Sequence, residues 1–146
     1  MGIVELDRGR LSEIEALWHE LNAHHARLSS NFKQHFDALT FQDRIKNLLH
    51  KEHLSLFVIT DAGLRVGYCI VSADGEKGEI DSIYVKDEYR RKGIGHQLMM
   101  AAMEWLRMRS CAETAIYVAE GNEQVLGFYE KYGFGKRYTV LGKITP

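Results

Sequence analysis

The hydrophobic positions change period along the chain, and the changes mark out its elements. "GIVEL" (2–6) reads as a short strand. Leu11, Ile14, Leu17, Trp18 and Leu21 then recur three or four residues apart, which predicts a helix running to about Ala26. Ser12 to Glu15 has the form of a capping box at its start. A polar stretch, "RLSSNFKQHFDA", reads as a loop, and Thr40 to Asp43 as the opening of a second helix with Phe41, Ile45, Leu48 and Leu49 on one face. Three strand-like runs follow at 54–60, 65–74 and 79–85, separated by "DAG" and "GEKG" turn signals. They predict an antiparallel meander.

Strong helix formers fill Ile94 to Arg109, "AIYV" (115–118) is a buried-type strand, and Gln124 to Tyr132 is helical in pattern with Gly133 at the stop. "RYTVLGKI" (137–144) reads as a last strand. The helix between strands 79–85 and 115–118 makes that pair parallel. The expected class is α/β (α+β): a mixed, mostly antiparallel twisted sheet flanked by helices, in the order β-α-α-β-β-β-α-β-α-β.

Composition narrows the functions. A length of 146 residues suits one domain, residues 1–146, with a core that needs no disulfide. The net charge of -1 gives no bulk attraction for nucleic acid or an anionic membrane, so neither is expected as a partner. Cys69 and Cys111 lack metal-type spacing, no metal site is expected, and the polar N-terminus does not resemble a signal peptide; a cytoplasmic setting is expected.

The densest basic run, Arg90-Arg91-Lys92, leads into Gly93-Ile94-Gly95-His96 and a helix. The first N–H groups of a helix lack internal partners, and glycines let a phosphate approach them. Chance alone supplies about 0.7 Gly-x-Gly in a chain this long, so the motif is weak without its context. A Walker A loop would need Gly-Lys-Ser/Thr, and a dinucleotide fingerprint would need glycine where Leu98 stands. Neither is present, yet strand, glycine turn and helix remain, and a diphosphate suits them.

Arg90-x-x-Gly93-x-Gly95 resembles the Arg/Gln-x-x-Gly-x-Gly/Ala signature of the GCN5-related N-acetyltransferases (the GNAT family). "VAEGNEQVLGFYEKYGF" (118–134) is similar to that family's second signature. The resemblance is strongest from Glu79 to Phe134; residues 1–53 carry no signature, and Asp87 stands where family members often have proline.

The resemblance implies direct transfer of an acetyl group from acetyl-CoA to a primary amine of a small molecule or peptide. It implies that backbone amides from Arg91 through Lys92, Gly93, Ile94 and Gly95 to His96 bind the CoA pyrophosphate, with Arg90 beside them. Ile83, Tyr84 and Val85 would hydrogen-bond the pantetheine arm like an added strand, on a sheet that splays after strand 79–85. Asn122 would contact the same arm, or cap the helix that follows it.

The amine must also lose a proton, since at pH 7 only about one lysine-like amine in 10³ is neutral. Glu79 and Asp81, two apart on one strand, share a face. Glu79 matches the base of the family's histone-acetylating branch, and Asp81 is the second candidate; an ordered water with no dedicated base, and two merely solvated acids, stay open. Tyr117 stands where the ribosomal-protein branch has its glutamate. Tyr129 matches the tyrosine that protonates the leaving thiolate, with Tyr132 and Tyr84 as weaker candidates. His24, His25, Phe32, His35 and Phe36 fall in the segment that lines the acceptor site in the family; they could equally be core and surface residues. A homodimer through the C-terminal strand stays open, as does a different class of function, a catalytically idle CoA-binding sensor.

Overall fold

The computed structural model describes residues 1–144. By contact they form two compact units, one of residues 1–21 and 40–117, the other of residues 22–39 and 118 onward.

The first unit holds the sheet. Strands β1 (Gly2–Leu6), β2 (His53–Asp61), β3 (Leu64–Asp74), β4 (Lys77–Val85) and β5 (Glu113–Ile116) lie side by side in sequence order. The first three pairings are antiparallel and β4–β5 is parallel, as the intervening helix requires. The sequence predicts all five strands within two residues at every end.

Both faces of the central strands are covered. Leu54 through Ile59 of β2 and Val66 through Ala73 of β3 are continuously buried, which is why these strands read as apolar runs rather than as alternating ones. On one face Leu54, Leu56, Val58, Tyr68, Ile70 and Tyr84 form a single cluster with Leu11, Ile14, Leu17, Trp18, Phe41 and Leu48. These come from a 3-10 turn (Arg8–Ile14), helix α1 (Glu15–Leu28) and helix α3 (Phe41–Leu48). Helix α4 (Ile94–Met108) takes the other face, packing on β3, β4 and β2. There Trp105 Nε1 donates to Ser55 Oγ at 2.9 Å, and Ser55 in turn donates to Glu5 at 2.6 Å. Burying an indole N–H is tolerated because it has this partner.

Three local expectations are corrected. Asp7, not Ser12, caps the first helical segment: its side chain accepts from Gly9 N, and Ser12 falls inside the 3-10 turn. Thr40 does cap α3, accepting from Asp43 N. The segment read as a polar loop contains a short helix, α2 (Lys33–Ala38). Residues 137–144 form no strand; Tyr138, Val140 and Leu141 are more than four-fifths exposed. β-propensity becomes a strand only where a partner supplies ladder hydrogen bonds, and among the described residues this segment has none. The mixed-sheet class stands, while the last β of the expected order and the dimer edge built on it do not.

In the second unit, Glu120 ties the chain together. Its carboxylate accepts from Ser29 Oγ at 2.7 Å, Ser30 N at 3.0 Å and Asn31 N at 3.1 Å. Those bonds, first of all the one from Ser30 N, hold its carboxyl below the usual glutamate range. Next to it, Gly121 (φ +95°) brings its backbone against Leu28. Helix α5 (Leu126–Glu130) closes the unit's regular structure.

Candidate active site

Strand β4 departs from regularity at one residue. Ile70 pairs with Ser82 and Val71 with Ile80, so Asp81 is an extra residue, a β-bulge. The bulge resets the alternation of faces. Glu79 and Asp81 point to the α1/α3 side, and Ser82 and Tyr84 point there too. Ser72 Oγ donates to Asp81 at 2.6 Å, Ser82 and Tyr68 share a 2.7 Å hydrogen bond, and Tyr84 donates to Glu20 of α1 at 3.2 Å.

The β4–β5 pairing ends at the same place. It joins Lys77–Ile80 to Glu113–Ile116 and goes no further, although β4 continues to Val85. From Asp81 to Val85 that edge has no partner strand among the described residues. The splay thus begins inside the strand, earlier than the sequence suggests. Tyr117, just past β5, is exposed.

The two carboxylates do meet, around a residue that sequence reading missed. Lys51 Nζ lies 3.1 Å from Glu79 Oε1 and 3.9 Å from Asp81 Oδ1. Glu79 is partly exposed, whereas the Asp81 side chain is 1% exposed. Arg44 Nη2 donates to the Asp81 carbonyl at 2.8 Å. Burial pushes the Asp81 carboxyl up to about 7; the Ser72 hydrogen bond opposes this, Glu79's charge adds to it, and Lys51 and Arg44 pull back. Burial disfavours the Lys51 charge, but the hydrogen bond and charge of Glu79, with Asp81 and Asp74, outweigh it and raise the ammonium pKa. Beyond the pair of acids, a serine within the apolar run of β3, Ser72, is the one sequence signal for this cluster. Lys51 and Arg44 give none, because only the fold brings them to β4.

Beyond β4 the chain makes a 3-10 turn (Asp87–Tyr89) and enters the basic run. Arg90 folds back: its Nε donates to the Val85 carbonyl at 3.1 Å, it pairs with Asp87 at 2.7 Å, and it lies 5.6 Å from the Tyr84 ring centre. Lys92 stands 5.2 Å over the Tyr89 ring. Arg91 (φ +64°) and Gly93 (φ +79°) both take left-handed backbone. Gly93 is the N-cap of α4, and no side chain caps the helix. A Cβ placed on Gly93 would meet nothing within 4 Å. Ile94 is buried and its Cγ2 lies against Gly67, which fixes the helix start at the end of the sheet. Gly95 and the exposed His96 complete the first turn. This is an uncapped helix start with open space in front of it, next to three cations.

The remaining expected residues lie in the second unit. Tyr129 stacks edge-on with Phe128 (5.4 Å) and Phe134 (6.5 Å), and Phe128 with Tyr132 (5.3 Å). Asn122 is buried and makes no side-chain cap; its Oδ1 accepts from Gln124 Nε2 at 2.8 Å instead. His25 stacks with Phe36 at 5.5 Å, and its buried Nδ1 has no hydrogen-bond partner. Burial, with His24 beside it, lowers its pKa to about 4. His35 and Phe36 lie 5.3 Å apart. Among the described residues no three His, Cys, Asp or Glu are placed to hold a metal ion, and no helix is long and apolar enough to cross a membrane.

The model of the "Acetyltransferase (GNAT) family" matches residues 14–134, so the chain belongs to that family of acetyltransferases. Solved structures agree on the fold. A mutant of the BH1408 protein from Bacillus halodurans superposes with a TM-score of 0.74 at 16% identity, covering 98% of each chain. An aminoglycoside N-acetyltransferase in complex with CoA gives 0.68 at 18%, covering 97% of this chain and 92% of the other. A ribosomal-protein-alanine N-acetyltransferase from Brucella melitensis biovar Abortus 2308 gives 0.67 at 19%, covering 98% and 99%.

Proposed function

We propose that the chain is a single-domain N-acetyltransferase that moves the acetyl group of acetyl-CoA to a primary amine of a small molecule or peptide. The observation that carries this reading is the coincidence at Asp81 of the β4 bulge and the end of β5 pairing. It leaves a stretch of strand edge leading along the chain to an uncapped helix start. An extended acyl-pantetheine arm suits such an edge as an added strand would, and a diphosphate suits the amides that follow.

The residues present fit that co-substrate. Gly93 has no side chain to obstruct the approach, and Arg91, Lys92, Ile94, Gly95 and His96 would present backbone amides or charge to the diphosphate. Ile83 and Tyr84 offer backbone on the open edge. The Val85 carbonyl already accepts from Arg90, so Arg90 would brace the site from behind. Asn122 is proposed as a contact to the arm on its motif position.

In the reaction the amine nitrogen bonds to the thioester carbonyl carbon, and the carbon–sulfur bond breaks. The amine's proton passes to Glu79, the more exposed carboxylate, directly or through water. The thiolate takes a proton, a role proposed for Tyr129 from its place in Phe128-Tyr129-Glu130-Lys131. Two of the named relatives are, by their descriptions, N-acetyltransferases of aminoglycosides and of ribosomal-protein alanine, which supports an amine acceptor. A cytoplasmic location and the absence of nucleic-acid and membrane partners belong to the same proposal; the two free cysteines support a reducing compartment.

The test is thiol release from acetyl-CoA across a panel of monoamines, aminoglycosides and short peptides. Turnover on at least one class, lost in Tyr129→Phe with CoA affinity retained, is expected. CoA binding without turnover on any amine would overturn the enzyme reading in favour of a sensor.

A further inference from the structure

The Lys51 ammonium is committed to one carboxylate and leans on another. Its 3.1 Å contact with Glu79 is a hydrogen bond, while the 3.9 Å approach to Asp81 is too long for one. Asp81 Oδ1 is buried and accepts no hydrogen bond, although Oδ2 takes the Ser72 hydroxyl. A buried carboxylate oxygen without a donor is costly. Asp81 must therefore either bind a proton or draw Lys51 toward itself. Its carboxyl is too enclosed to meet an acceptor amine; Glu79, on the same face, is not.

The charged and titratable groups around Asp81 come from every element packed on it. Arg44 reaches it from α3, Lys51 from the turn before β2, Glu79 from β4 and the buried Cys69 thiol from β3, with Asp74 beside Lys51. One anion and two cations thus act on one enclosed acid.

Resting on the reading of Glu79 as proton acceptor, we propose that Lys51 is a positioning residue shared by two carboxylates, so that the charge on Asp81 sets how firmly Lys51 holds Glu79 and hence how free the Glu79 carboxylate is to meet the amine. With Asp81 ionised, two carboxylates divide one ammonium, and Glu79 keeps a lone pair available for the amine's proton. When Asp81 takes a proton from solvent, Lys51 belongs to Glu79 alone, which becomes a poor acceptor. The proton returns to solvent as pH rises, and no other group is consumed.

The experiment pairs the pH profile of kcat/KM with ¹³C NMR titration of the Asp81 carboxyl. In the wild type both are expected to show a transition near 7. Lys51→Met should move the Asp81 transition up by about one pH unit or more, and Glu79→Gln should move it down by a similar amount. Lys51→Arg should restore it. Asp81→Asn should remove the transition from the kcat/KM profile and lower kcat/KM on the order of tenfold.

An Asp81 carboxyl that titrates in the ordinary carboxylate range, or one that neither Lys51→Met nor Glu79→Gln moves, would overturn the proposal whatever the activity. Full activity in Glu79→Gln would overturn the base assignment instead, and the proposal's link to catalysis with it. Neither Lys51→Met nor Glu79→Gln alters Asp81, so a misfolded Asp81→Asn would not block the test.

Discussion

Arg44 on helix α3 donates to the backbone carbonyl of Asp81, 37 residues away, at 2.8 Å. That carbonyl belongs to the bulged residue of β4, so a helix side chain holds the irregularity of the strand. Arg44→Gln should therefore lower stability by about 1.5–3 kcal/mol, the usual range for a hydrogen bond from a charged donor. It should also raise the Asp81 transition, because a cation that favours its ionised form is lost. Chemical unfolding and the carboxyl titration check the two effects separately.

Gly93 should separate backbone strain from blocked anion binding. Gly93→Ala places a Cβ at φ +79° in open space, at about 1 kcal/mol of strain, and should weaken acetyl-CoA binding little. Gly93→Glu carries similar strain but puts a carboxylate in front of the helix start, and binding should be lost. Calorimetric titration compares them, with circular dichroism to verify the fold; equal affinities would refute the diphosphate placement.

Gly121→Ala should be among the most damaging substitutions. The new Cβ would lie 2.3 Å from the Leu28 carbonyl oxygen and 2.5 Å from its carbon, at φ +95°. Both obstacles are backbone and cannot swing aside. A loss of roughly 3 kcal/mol or more is expected, measured by urea unfolding.

His25 gives an acid-side dependence. Its folded pKa, about 4, lies below the ordinary histidine value, so the folded chain binds fewer protons than the unfolded one in between. The stability associated with neutral His25 is complete above about 6.5 and is lost as pH falls toward 4. The loss is on the order of 2 kcal/mol after allowing for its partial exposure. His25→Phe should flatten this part of the stability–pH curve; an unchanged slope would refute the assignment.

Local sequence was enough to place the elements of the sheet and the glycine turn that opens α4. Both are local: apolar runs mark β2 and β3, strong helix formers mark α4, and the glycines on either side of Ile94 favour a turn where they stand. The tail at 137–144 shows the limit of that reasoning. Its residues favour a strand, but a strand needs a neighbour, and propensity cannot supply one. Glu79 and Asp81 were legible as a pair on one face. Which of them is buried, and what holds them, was decided by tertiary structure alone. A bulge at Asp81, a parallel pairing that stops at Ile80, and Lys51 and Arg44 arriving from another part of the chain set the burial and charge around each acid. Those quantities depend on what surrounds a residue in space, and nothing in the order of the chain encodes them locally.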